Sequence, residues 1–165
     1  MVTLLQPGSS YKFKYRGINA FGEGEFSDES TIVAATKPDR IARATTVIIG
    51  SDVKISWTSP SGRGSVITSY AVYIGDDEGV MVLYEEECAG TGPSVLNYQE
   101  CTVPLATLRD AAQFNLAQED LVVAQITATN DFGTSELSEK NTVGAEIQTE
   151  PHQPSTPPSR GTQTS

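Results

Sequence analysis

The sequence has very little of what an enzyme or a metal site is usually built from. Histidine occurs once, at His152, and cysteine occurs twice among 165 residues. The single imidazole lies in a proline-rich stretch, where nothing holds it against a nucleophile as a general base. A zinc site would need further cysteine or histidine ligands. We therefore expect a protein that is not an enzyme and that uses no cofactor.

Basic residues are also scarce. The chain has 11 lysines and arginines against 21 aspartates and glutamates, which gives a net charge of −10. The imbalance lies in residues 38–150, which hold 17 acidic and 6 basic side chains. Nucleic-acid binding requires clustered lysine and arginine against the phosphates, and the sequence has no such cluster. The charge pattern argues against a nucleic-acid partner and indicates an acidic surface that keeps the protein soluble.

Long apolar runs are missing as well. No stretch approaches the roughly 18 to 20 consecutive apolar residues that a membrane-spanning helix needs, so we expect no membrane span. The first residues carry neither a basic segment nor an apolar stretch of signal-peptide length. No targeting signal is visible, and the sequence is expected to begin inside a longer protein.

What the sequence does have is typical of β structure. It contains 14 glycines and 9 prolines with 19% charged residues, a balance that suits short strands joined by turns. One pattern occurs twice, over 11–22 and again 111 positions later over 122–133. Each copy alternates inward and outward side chains and ends in Asn-x-Phe-Gly, which predicts a half-buried strand followed by a tight turn. A spacing near 110 residues matches one β-sandwich module, so the sequence predicts a modular repeat.

The repeat divides the chain into three parts. We predict the last two strands of a first module in 1–37, a complete module in 38–150, and a proline-rich linker that begins a third module in 151–165. The first boundary rests on Pro38, which has no amide proton to donate to a continuing strand. Two strands alone are not stable in water, so the first module needs further strands from a longer chain or from a second molecule.

Local signals place the elements inside these parts. The hairpin of the first part is expected to turn at 23–25. In the second part we expect a long irregular connection over 85–98, one or two helical turns within 107–117, and a returning final strand over 137–147. The complete part then holds seven or eight strands with a turn every 8 to 12 residues, which is the pattern of a two-sheet sandwich.

Several landmarks resemble those of the fibronectin type III family, in the family's order. Trp57 lies in Ile-Ser-Trp-Thr, Tyr70 lies in Ile-x-x-Tyr-x-Val, and Tyr11 follows Leu-x-Pro-Gly. The resemblance implies an all-β fold of tandem immunoglobulin-like sandwiches, with Trp57 in the core and Tyr11 as a corner tyrosine whose hydroxyl ties the preceding loop. Val122 occupies the corner position of the complete module, so that tie is expected to be missing there. The core landmarks under this resemblance are Trp57, Tyr70, Tyr11, Asn19 and Asn130.

The two cysteines, Cys88 and Cys101, are 13 positions apart, and each adjoins a strand-like segment. This spacing suits a local disulfide across neighbouring strands. A disulfide implies an oxidising compartment, and hence an extracellular or cell-surface location. The alternative is a pair of reduced thiols in a cytosolic protein.

Two acidic runs are the candidates for an ion site. Asp76, Asp77 and Glu78 form one run at a predicted turn, and residues 85–87 form the other. Calcium takes six to eight oxygen ligands, which carboxylates can supply. Neighbouring carboxylates on an extended strand point to opposite faces, however, and the spacing matches no calcium loop. We expect a solvated acidic edge and retain the first run as the metal candidate.

Three functions are compatible with this organisation. The leading hypothesis is a structural, spacer or adhesion-type module of a large multidomain surface or extracellular protein, whose partners are neighbouring modules. An alternative is a filament subunit, a homopolymer in which strands from a neighbouring copy complete the first module. A third is a ligand-binding ectodomain of a receptor or enzyme, with its specificity in the loops 59–66, 106–119 and 130–136.

Overall fold

The computed structural model describes residues 4–149, and the predicted start of a third module at 151–165 lies outside them. The N-terminal part is a long hairpin of short strands. Its strands are β1 (Ser10–Phe13), β2 (Ile18–Asn19), β3 (Gly22–Glu23) and β4 (Ser30–Val33). β1 pairs antiparallel with β4, and β2 pairs antiparallel with β3.

The rest of the described chain forms a sandwich of two antiparallel sheets. A three-stranded sheet has the order β5-β6-β9 and a four-stranded sheet has the order β11-β10-β7-β8. The first sheet consists of β5 (Thr45–Ile49), β6 (Asp52–Ser56) and β9 (Glu100–Pro104). The second consists of β7 (Ser69–Gly75), β8 (Met81–Leu83), β10 (Ala124–Asn130) and β11 (Gly133–Thr134). The predicted all-β, two-sheet fold class is confirmed.

The core lies between the two sheets because each strand alternates its side chains. Val53 and Ile55 of β6 are fully buried, and Ile126 of β10 is buried opposite them. Each such side chain stabilises the fold by about 1.5 to 3 kcal/mol relative to an exposed one. Trp57 and Tyr70 close one end of this core with an edge-to-face contact, their ring centroids 5.4 Å apart.

The hairpin turns earlier than its sequence predicts. The turn is at Ala20 and Phe21, between paired Asn19 and Gly22, and not at 23–25. The Asn19 side-chain oxygen accepts the Phe21 amide at 2.9 Å. This local bond closes the turn directly after the asparagine, and it leaves Gly24 to pair within the returning segment.

The connection between β8 and β9 is less irregular than predicted. It contains one π-helical turn, Ser94–Tyr98, whose Val95 is buried in the core. The predicted helical turn within 107–117 begins sooner, as α1 (Leu105–Leu108). Pro104 ends β9 directly before it, because proline has no amide proton for a ladder bond.

The final segment does not form the regular strand predicted over 137–147. After β11, its regular pairing is a single bridge between Leu121 and Glu146. In between, side chains replace backbone groups along the edge of β10. The hydroxyls of Ser135 and Ser138 accept the amides of Ala128 and Ile126, both at 3.0 Å.

Asn141 continues this arrangement by accepting the Ala124 amide at 2.8 Å. The three polar residues are spaced three apart, whereas a strand repeats every two residues. They can meet one strand edge only if the segment leaves the flat geometry of a strand. The expectation of a regular strand failed because hydroxyl and amide side chains satisfy the β10 amides in its place.

Candidate functional site

Cys88 and Cys101 form the predicted disulfide, with their Cα atoms 5.3 Å apart. Cys101 lies in β9 opposite Ile55 of β6, and both cysteines are buried. The disulfide therefore ties the connection after β8 to the three-stranded sheet from inside the core. Its role in the fold is structural.

The aromatic landmarks lie in the core and not on a binding surface. Trp57 is 8% exposed and Tyr70 is 4% exposed. The Tyr70 hydroxyl donates to the Ser59 hydroxyl at 2.8 Å, which satisfies its polar end. In the hairpin, the Tyr11 hydroxyl accepts the Gln6 amide at 2.6 Å. That bond is the tie to the preceding loop that the resemblance implies for a corner tyrosine.

The two landmark asparagines differ in what they contact. Asn19 and Asn130 each cap their own turn by accepting the amide two residues ahead at 2.9 Å. The Asn130 side chain also donates to the carbonyls of Thr36 at 2.8 Å and Gly62 at 2.9 Å. Asn130 therefore connects the segment after the hairpin to a loop of the sandwich.

A surface ion pair supports the same connection. The Lys37 ammonium lies 2.8 Å from the Glu136 carboxylate in the segment after β11. The hydrogen bond from Lys37 and its positive charge hold the pKa of Glu136 below its ordinary value. Both groups are exposed, so this pair positions the linker more than it stabilises the fold.

The acidic run at 76–78 stabilises the turn between β7 and β8. The Asp76 carboxylate accepts the amides of Glu78 at 3.1 Å and Val80 at 2.8 Å. The Asp77 carboxylate accepts the side-chain amide of Asn115 at 2.6 Å. Within residues 4–149, no three or more His, Cys, Asp or Glu side chains are grouped as a metal site would require.

The second acidic run makes one contact with the core. The Tyr84 hydroxyl donates to the Glu87 carboxylate, and the Tyr84 ring packs edge-to-face on Phe114 at 5.7 Å. Burial, followed by the bond to Glu87 and its charge, raises the pKa of Tyr84 well above its ordinary value. The phenol is therefore held as a protonated donor, which gives Glu87 a structural role.

The loops predicted to carry ligand specificity do not form one site. Loop 59–66 meets loop 130–136 through the bond from Asn130 to Gly62. Loop 106–119 contacts the turn after β7, where the Asp77 amide donates to the Phe114 carbonyl at 3.0 Å. The seven-residue strand β7 separates the two positions, a span of about 20 Å. Two of the three loops are brought together, and the third is at the opposite end.

The hairpin carries several exposed apolar side chains. We define the hairpin face as Tyr11, Phe13, Tyr15 and Ile32, since the first three alternate along the chain and Ile32 pairs with Tyr11. Phe13 is 47%, Tyr15 is 79% and Ile32 is 56% exposed. Soluble domains rarely expose a contiguous apolar surface without a binding role. The hairpin face is the candidate functional site.

An antiparallel sandwich of three strands on four, with a core tryptophan and a polar turn cap, is an immunoglobulin-like domain. No model of a known protein family matches the chain. The chain is 28% identical over 122 residues to human fibronectin type-III domain-containing protein 3A, covering 69% of this chain and 10% of that protein. It is 27% identical over 138 residues to host cell factor of Drosophila melanogaster, covering 79% of this chain and 9% of that protein.

Among solved structures, the chain resembles the sixth fibronectin type III domain of human fibronectin type III domain containing protein 3. The TM-score is 0.50 at 16% identity, and the match covers 73% of this chain and 96% of that domain. The fold and these relatives confirm the resemblance to the fibronectin type III family. The chain spans about a tenth of the length of these curated relatives. Within residues 4–149, no helix has the length and apolar content needed to cross a bilayer.

Proposed function

We propose that the chain is part of a tandem array of fibronectin type III modules in a large multidomain extracellular or cell-surface protein. In this proposal it is a non-catalytic spacer or adhesion-type element that acts through protein contacts. Its parts are the end of one module in 1–37, a whole module in 38–150 and the start of another in 151–165. The observation that carries the proposal is the exposed hairpin face.

The argument compares the hairpin with its counterpart in the sandwich. In the sandwich, the residues at the matching positions of β10 are buried under the three-stranded sheet. The hairpin has the same alternation, but its Phe13 and Tyr15 are exposed. An isolated two-stranded hairpin is marginal in water. A sheet laid over the hairpin face would complete a second sandwich of the same kind.

Two further observations support the setting. The relatives are about ten times longer than the matched region, which fits a module within a multidomain protein. The disulfide between Cys88 and Cys101 fits an oxidising compartment, where such bonds persist. Fibronectin type III relatives also favour protein contacts as the mode of action.

The intact mass of the native protein, measured with and without reductant, tests this function. We expect a mass far above the 17.6 kDa of the present chain. In the segment that contains the cysteines, reduction of the one bridge adds about two mass units. A native protein of 17.6 kDa that sediments as a monomer would contradict the proposal.

The filament alternative uses the same hairpin face but covers it with strands from another copy of the chain. It predicts a native chain near 17.6 kDa whose sedimentation increases with concentration. Phe13→Asp would abolish such assembly, because a charge in a buried sheet interface is costly. The ectodomain alternative has less support, since its three loops lie at two ends of the sandwich.

A further inference from the structure

The loop before β7 meets the segment between hairpin and sandwich along a continuous line of contacts. We call residues 61–64 the joint loop. The Thr36 amide donates to the Arg63 carbonyl at 3.2 Å, and the Asp39 amide donates to the Ser61 carbonyl at 3.0 Å. The Arg63 guanidinium also lies 2.7 Å from the Asp39 carboxylate. The linker is therefore paired to the joint loop through both backbone and side chains.

Gly64 brings the joint loop against the hairpin itself. Its φ is +92°, and a Cβ at this position would lie 2.6 Å from the Ala34 carbonyl oxygen and 3.2 Å from the Gly8 nitrogen. Both of these residues belong to the hairpin, where the Gly8 amide donates to the Ala34 carbonyl at 2.7 Å. Any side chain at position 64 would separate the joint loop from the hairpin.

The positive φ of Gly64 is not by itself a sign of such a contact. Gly79 has a φ of +80°, yet a Cβ there would meet nothing within 4 Å. The close approach is therefore a feature of the joint loop and not of positive-φ glycines in general. A second loop also holds the linker, through Asn130 to Thr36 and through Lys37 to Glu136.

We propose that the joint loop is a docking surface for the preceding module, which it holds at a fixed orientation to the sandwich. The part of that module that docks is the Gly8 turn with Ala34. Neighbouring modules then tumble as one rigid body and do not reorient independently about a flexible linker. The inference rests on the proposed function, because it takes the hairpin as the end of a preceding module.

Backbone ¹⁵N relaxation of the whole chain tests this inference. In the wild type, we expect the ratio of transverse to longitudinal rates in β1 and β4 to equal that in β7 and β10. Gly64→Ala should lower the ratio in β1 and β4 by roughly two-fold, because a small unit that reorients independently has a shorter correlation time. Gly79→Ala is the matched control, because its φ is similarly positive and its new Cβ would meet nothing within 4 Å; it should leave the ratio unchanged.

Two results would overturn the inference: a low hairpin ratio already in the wild type, or an unchanged ratio in Gly64→Ala. If Gly64→Ala also loses the amide dispersion of β7 and β10, Arg63→Gln replaces it. That variant removes the ion pair with Asp39 and should lower the hairpin ratio without unfolding the sandwich; no change would again overturn the inference. A native mass near 17.6 kDa would contradict the proposed tandem array. The relaxation experiment would still test whether the joint loop fixes the orientation of the hairpin.

Discussion

The two copies of the repeated strand share a sequence pattern but differ completely in burial. In the sandwich, β10 is a continuous strand of seven residues, and its Ile126 is 0% exposed. In the hairpin, the same stretch is broken into β1 and β2, and Tyr15, at the position that matches Ile126, is 79% exposed. The three-stranded sheet that covers β10 accounts for the difference. Alternation decides which side of a strand is apolar, and a second sheet decides whether that side is buried.

The correspondence extends to individual hydrogen bonds. The Ser27 amide donates to the Tyr15 carbonyl at 2.8 Å, and its hydroxyl accepts the Tyr15 amide at 3.1 Å. Ser138 makes the same two bonds with Ile126, at 2.9 and 3.0 Å. Ser27 and Ser138 are 111 residues apart, which is the spacing of the repeat. One chain therefore offers the same bond in an exposed and in a buried setting.

The largest difference is expected from truncating apolar side chains in the two copies. Ile126→Ala should lower the free energy of unfolding by about 2 to 5 kcal/mol, because it leaves a cavity under the sheet. Phe13→Ala should cost within about 1 kcal/mol in this chain, although phenylalanine is larger, because its ring is half exposed. Urea denaturation followed by circular dichroism and by Trp57 fluorescence measures both. Equal losses of unfolding free energy in Ile126→Ala and Phe13→Ala would mean that the hairpin face is already covered.

The same pair of variants sharpens the comparison in a longer protein. If a preceding sheet covers the hairpin face, the cost of Phe13→Ala should rise to about 3 to 5 kcal/mol. The cost of Ile126→Ala should not change, because its surroundings are already complete. A Phe13→Ala cost that stays small in the longer protein would argue against a completed first module.

Removal of the disulfide should have the next largest effect, and only on the sandwich. Cys88→Ala combined with Cys101→Ala should lower the free energy of unfolding by about 3 kcal/mol, the value for a closed loop of about 15 residues. Hairpin amide chemical shifts should stay unchanged, since the bridge joins two parts of the sandwich. Identical urea midpoints for the oxidised and the substituted protein would contradict the expectation.

A smaller contrast is expected between the two matched serines. Ser138→Ala should cost about 1 to 3 kcal/mol, because it leaves the buried Ile126 amide without its hydroxyl acceptor. Ser27→Ala should cost within about 0.5 kcal/mol, because water can replace the exposed bond. Urea denaturation and the amide exchange rates of Ile126 and Tyr15 measure the contrast. If the Ile126 amide in Ser138→Ala and the Tyr15 amide in Ser27→Ala exchanged at similar rates, burial would not explain the difference in unfolding free energy.

The smallest effect concerns the ion pair beside the linker. The pKa of Glu136 is lowered in the folded state, so the stabilisation is present above the ordinary carboxyl pKa and is lost as the pH falls through the lowered value. Lys37→Gln should return the pKa of Glu136 towards its ordinary value, as measured by NMR titration of the side-chain carboxyl. Lys140→Gln is the control, since Lys140 binds the Gly79 carbonyl. A lowered pKa that persists in Lys37→Gln would exclude the ion pair as the cause.

Local patterns in the sequence predicted much of this structure. A period of two residues predicted β10 and its buried side, the resemblance placed Trp57 in the core, and the spacing of the two cysteines predicted their bridge. These features depend on neighbours in sequence or on one loop, so residue type and spacing are enough to specify them. The resemblance to fibronectin type III domains and the fold class followed from the same signals.

Tertiary structure alone decided the features that join distant segments. The serines and the asparagine after β11 replace a strand because they reach the β10 amides, and Gly64 is close to Ala34 only because the linker folds back on the joint loop. Nothing in the local pattern distinguishes Gly64 from Gly79, or Tyr15 from Ile126. The sequence by itself determined the central strands of the sandwich, such as β6 and β10, and which side of them is apolar. Burial and docking were decided only when the sheets and loops packed, because both depend on atoms contributed by remote parts of the chain.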